Sequence, residues 1–166
     1  MYNYYEYVSA FQFSRRKEMY TMGEDDLYNA AFNENIDRYL KDGGYESKHR
    51  IFNLVAAGNV DGIYDELNDY IFRLSVLFNS VRLSDAKHNT RFVFAQISAV
   101  ATSNGLDAWI AQQLLRKHYK MLDNSSDVAA LLECTRLHII DFCFAVNTSR
   151  VENSYSALTK DICQYI

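Results

Sequence analysis

No proline occurs anywhere in the 166 residues, where an average chain of this length would hold roughly eight. Glycine is sparse too, at six. Proline breaks a helix by removing a backbone donor and clashing with the preceding turn, and glycine weakens one through backbone entropy. A chain with so few breakers can run in long helices, and its apolar residues recur at helical spacing. The expected fold class is all-α, an irregular or orthogonal helix bundle of six to seven helices with short connections. No clean internal repeat is visible in the sequence.

The helices can be placed from caps and stripes. The Tyr-rich opening "MYNYYEYVSAFQF" reads as a short helix or an extended arm. Residues 24–41 form a helix with Tyr28, Phe32, Ile36, Tyr39 and Leu40 on one side, opened by the acidic "EDD". Gly43 and Gly44 close it in the left-handed cap conformation. Residues 46–57 and 60–78 make a helical hairpin joined at Gly58-Asn59. Its second arm carries Val60, Ile63, Tyr64, Leu67, Tyr70, Ile71, Leu74 and Phe78 on one face. Ser84 is the expected cap of a helix ending at Asn104-Gly105, and residues 106–122 follow. "DNSSD" caps the longest helix, 126–147. That helix has a main strip of Val128, Leu131, Leu132, Thr135, Ile139, Phe142, Cys143 and Val146. A second strip, Leu137, Ile140 and Phe144, lies roughly opposite. A helix apolar on two sides is buried centrally or shared with a second subunit. "NTSRVENS" reads as a polar linker, and a last amphipathic helix starts near Ser154.

Composition narrows the function classes. Net charge is −4 and the sequence pI is about 5.5. A stand-alone nucleic-acid binder is usually basic, and the short "RRK" at Arg15–Lys17 reads as a solvated helix face. Cys134, Cys143 and Cys163 are odd in number and lack CxxC spacing, which argues for a reducing, cytoplasmic setting over a disulfide framework. No apolar run approaches the ~18 residues of a membrane span, so no membrane partner is expected.

Chemistry-bearing residues are scattered. Cys134, His138 and Asp141 stand at i, i+4 and i+7, a spacing that can present metal ligands. With three local ligands and no second cluster, the stronger reading is a half-buried Cys, a flanking His and a solvated Asp. His49, His88 and His118 each sit in polar context. Asp61, Asp65, Glu66 and Asp69 read as a solvated acidic face. Trp109 reads as a core or interface aromatic. No catalytic, cofactor-binding or metal residue is assigned, no cofactor is expected, and an enzyme is the weakest class.

The tail "YSALTKDICQYI" resembles the opening helix of the DNA-binding domain in AraC-family transcription regulators, an amphipathic helix that usually ends in Tyr-Ile. Upstream, "RIFNLVAAGNVDGIYDEL" and "TRFVFAQISAVAT", followed by "SNGLDAWIAQQLLRKHY" with Gly105, Leu106, Ala111 and Leu114, are similar to the all-helical regions that precede that domain in some bacterial members. The likeness in layout spans 46–166. One departure is Leu115-Arg116, where those relatives often carry Ser-Asp.

The resemblance implies a helical regulatory and dimerisation domain over 1–150. It also implies a linker and the first helix of a truncated C-terminal DNA-binding domain over 151–166. DNA would be contacted only through that further domain. The expected partners are a second copy, with Leu137, Ile140 and Phe144 as the dimer interface, and a small-molecule or peptide effector whose ligand-binding residues are unknown. Leu158, Ile162 and Ile166 would belong to the core of the following domain, leaving the last helix to fray or to dock on a neighbour. The rival reading is a stand-alone helical interaction module that holds a partner helix in an apolar groove.

Overall fold

A computed structural model describes residues 24–164, with side-chain surroundings given over 28–154 except at 29, 31, 32 and 40. The expectations for the Tyr-rich opening, Phe32, Leu40, Leu158, Ile162 and Ile166 lie outside the described residues. All regular structure among the described residues is helical: α1 Glu24–Tyr39, α2 Tyr45–Ala57, α3 Val60–Phe78, α4 Leu83–Ser103, α5 Ala108–Asn124 and α6 Val128–Gln164. Five of these, α2 to α6, pack against one another. Among the described residues, five packed helices are fewer than the six to seven expected, in part because the long helix and the terminal helix, expected as two, are a single element.

Local chemistry sets the boundaries. Asn59 caps α3 by accepting from Gly62 N at 2.9 Å, and the Asp107 carboxylate accepts from Trp109 N and Ile110 N at the start of α5. Asp127 does the same for α6 through Ala130 N at 2.8 Å. Ser84 is not the cap of α4. It lies inside the helix, whose cap residue is the extended Arg82, and no side-chain cap bond forms there. Between α1 and α2 the chain takes a π turn, Leu40–Gly44, and only Gly43 is left-handed (φ 83°). Gly44 is right-handed, pressed so close to Tyr39 that a Cβ would lie 2.5 Å from its ring.

Two hairpins, α2–α3 and α4–α5, flank α6, which packs on all four of their helices. Leu131, Cys134, Thr135, His138, Ile139, Phe142, Cys143 and Val146 are buried along it. Opposite them lie Ile51 and Val55 of α2, Ile63, Leu67, Tyr70 and Leu74 of α3, Phe94 and Ile97 of α4, and Leu122 of α5. Each such apolar side chain contributes about 1.5–3 kcal/mol by leaving water. Tyr64, expected on the buried face of α3, is instead exposed, and Leu77 is buried.

The residues expected as a linker, 147–154, are helical and continuous with the buried part of α6. "NTSRVENS" has no glycine or proline to stop a helix already nucleated upstream, and its polar side chains suit a solvated one. Arg150 fastens this stretch, donating from both terminal nitrogens at 2.8 Å to the Ala56 and Ala57 carbonyls. Those carbonyls end α2, where the dipole favours a cation.

Gly58 closes α2 in the left-handed conformation (φ 61°), and a Cβ there would lie 2.8 Å from Asn147 N. Gly58→Ala is therefore expected to lower the urea midpoint by the equivalent of at least about 1 kcal/mol, since neither the backbone nor a helical nitrogen can give way cheaply.

Candidate functional site

The outer side of α6 emerges from this packing as a surface strip. Ile140 is half-buried and packs against the core, Leu137 is half-buried, and Phe144 is 43% exposed. Val151, which had no assigned role, continues the strip at 46% exposure. The three residues expected at a dimer interface thus share a face, and only Phe144 among them is largely open.

Behind that strip lies a polar knot inside the core. Cys134 and His138 are both buried, not half-buried and flanking, because hairpins cover α6 on both sides. His118, read as a residue in polar context, is also fully buried, and its Nε2 lies 3.0 Å from Asp141 Oδ2. Lys117 Nζ reaches the same oxygen at 2.8 Å. His138 stacks on Phe94 (centroids 3.8 Å, planes 6° apart) and meets His118 edge-on at 4.8 Å. Neither ring nitrogen of His138 finds a partner at hydrogen-bonding geometry.

Burial depresses both imidazoles. His138 is held well below its ordinary value, first by desolvation and then by His118, with a small opposing effect from the Phe94 backbone. His118 is lowered by desolvation, which Asp141 offsets in part. The Cys134 and Cys143 thiols are pushed up to about 11 by burial, which leaves them protonated and inert. Cys134 Sγ points at the His118 carbonyl, 3.6 Å away. Among the described residues no three His, Cys, Asp or Glu side chains converge as metal ligands.

The acidic residues of α3 divide. Glu66 and Asp69 pair with Arg50 across the α2–α3 hairpin, at 2.6 and 3.7 Å. Asp69 also accepts from Arg73 at 2.7 Å and Ser47 at 3.3 Å, and the Arg73 bond leads in holding its carboxyl below the usual range. Asp61 and Asp65 are exposed. Trp109, read as a core or interface aromatic, is 68% exposed at the start of α5.

One concavity has no counterpart among the sequence expectations. A cleft of about 240 Å³ is bordered by Asn35, Arg38, Tyr39, Phe72, Arg73 and Val76. Arg73 also donates to the Asp42 carbonyl, pinning the π turn to α3 at its edge. Phe72 and Val76 remain largely exposed on its wall. Their spacing, i and i+4 off the buried face of α3, was the available signal.

No family model matches this sequence, and comparisons with curated proteins and with solved structures return no match. Among the described residues no helix is long and apolar enough to cross a membrane.

Two outcomes follow from the knot. A folded state that keeps His138 neutral loses stability as protons bind the unfolded chain. Stability is therefore fully present above the ordinary value of 6.5 and falls as pH drops below it, toward the folded value. Urea midpoints measured from about pH 7.5 down to about 5 should decline, and His138→Leu should flatten that decline. Separately, alkylation of native protein near pH 8 should leave Cys134 and Cys143 unmodified, since a thiol near 11 is roughly one part in a thousand thiolate there, as peptide mass spectra would show.

Proposed function

We propose that this chain is the regulatory region of a bacterial, cytoplasmic AraC-type transcription regulator that controls a C-terminal helix-turn-helix domain. The observation that carries the reading is the continuity of α6. As far as Gln164, the segment that resembles the opening of the DNA-binding domain lies on the same unbroken helix as the buried residues Ile139, Phe142 and Val146. A helix packed on four neighbours at one end and bearing a further domain at the other transmits changes in bundle packing as changes in that domain's position. The strip Leu137, Ile140 and Phe144 would hold a second copy, and the cleft beside Phe72 and Arg73 is where a small-molecule or peptide effector would act on the bundle. No DNA-contacting residue is assigned within these 166 residues.

The cleft also favours a second reading, a stand-alone module that holds a partner helix against Phe72 and Val76. The two separate on one observation. Reading the coding sequence past the codon for Ile166 should reveal two helix-turn-helix patterns, and a stop codon there removes the regulator reading. In the longer chain, Glu152→Pro breaks α6 just beyond the Arg150 anchor. It is expected to leave the thermal transition of the bundle in place while abolishing regulated operator binding in a gel-shift assay.

A further inference from the structure

The cleft beside Phe72 joins an apolar wall to a charged rim. Phe72 and Val76, one turn apart on α3, are 68% and 56% exposed on the wall. The rim carries four charged side chains, Arg38, Asp42, Asp69 and Arg73. Two of them are committed within the chain. Asp69 accepts from Arg73 and Ser47 and pairs with Arg50, while Arg73 donates to Asp69 and to the Asp42 carbonyl. Arg38 and Asp42 are not so held. The ion pair of Arg38 is a surface contact with Glu34 at 3.3 Å, both side chains more than half exposed, and such pairs contribute little. The Asp42 carboxylate makes no hydrogen bond or ion pair among the described residues. Arg73 meets Asp42 through its backbone oxygen and feels the carboxylate only through its charge. An exchangeable cation and an open carboxylate thus stand four residues apart beside an apolar wall.

We propose that this cleft binds a free α-amino acid with an apolar side chain. Its carboxylate would meet Arg38, its ammonium Asp42, and its side chain Phe72 and Val76. This rests on the effector reading of the cleft and deepens it by naming the ligand class.

Charge, order and size select that class. The lining holds two arginines and two aspartates, a formal sum of zero. A zwitterion leaves that balance intact, whereas a plain anion would be repelled by the open Asp42 carboxylate and a plain cation by Arg38. Four residues are about 6 Å of helical rise, a gap that two side chains close on a carboxylate and an ammonium sharing one carbon. A planar guanidinium takes a carboxylate as a fork. Asn35, one turn before Arg38 on the same lining, has a carboxamide without a partner among the described residues, and it can serve the same end of the ligand. The volume of about 240 Å³ exceeds the ~150 Å³ that benzene fills and falls below the ~300–1,000 Å³ of drug-sized pockets. Leucine and phenylalanine are of that intermediate scale. Bound there, either would tie the end of α1 to α3, which packs on α6.

The test is calorimetry on this chain, and L-phenylalanine and L-leucine should each give single-site binding. 3-Phenylpropionate lacks the ammonium and phenylalaninamide lacks the carboxylate, so each should bind at least about tenfold more weakly than L-phenylalanine. Arg38→Gln and Asp42→Asn should each weaken L-phenylalanine by a similar factor. Their urea midpoints should stay unchanged, because both side chains are exposed and the Asp42 carbonyl remains for Arg73. Glu34→Gln, which releases Arg38, should bind no more weakly than the parent. No binding of either amino acid up to about 10 mM overturns the proposal. So does either analogue binding as tightly as L-phenylalanine, the mark of a site for one charge only, or binding that survives both substitutions, the mark of a site elsewhere. The regulator reading fails separately. A stop codon after Ile166 removes it and leaves this site, whereas absent binding removes the site and leaves that reading.

Discussion

The fold depends on α6 being buried along most of its first half. Neither hairpin can cover its own apolar face alone. The inner faces of α2–α3 and α4–α5 are satisfied only because Leu131, Thr135, Ile139, Phe142 and Val146 stand between them. This explains why α6 carries polar groups at depth. A helix covered on two sides buries positions that a one-sided amphipathic helix would leave wet, and Thr135, His138 and Cys134 occupy them. Thr135 is satisfied by the Leu131 carbonyl at 2.8 Å, and Cys134 by that of His118. His138 is the exception, held by ring contacts with Phe94 and Phe142. An imidazole whose ring nitrogens make no well-formed hydrogen bond in a core costs free energy that the aromatic packing must offset.

Most of the helices were legible in the sequence, because their ends are written in local chemistry. Gly58, Asn59, Asp107 and Asp127 act on backbone groups within a few residues of themselves, and such effects survive in any fold. Fold class followed for the same reason, from breakers that are missing. What could not be read depends on neighbours distant in the chain. His118 and His138 are twenty residues apart and meet only because α5 packs on α6. The helical state of 147–154 is masked by a polar composition that suits a linker, although no residue there stops a helix. Its anchor, Arg150, acts on carbonyls more than ninety residues away in sequence.

The candidate site divides along the same line. That Leu137, Ile140 and Phe144 share a face was plain from their spacing, whereas Ile140 proved partly committed to the core and Val151 joined the exposed strip. The cleft beside Phe72 required the π turn to be fastened to α3 by Arg73, an arrangement no helical stripe encodes.

The Arg150 clamp on the end of α2, beside the close approach of Gly58 to Asn147, makes that corner of the bundle a fulcrum. Fourteen further residues of helix extend from Arg150 to Gln164, an arm of about 21 Å. Rotating such an arm by roughly 10° about its base would sweep its far end through about 4 Å. Shifts among α2, α3 and α6 too small to disturb their packing thus become, at the end of the helix, displacements the size of a side chain.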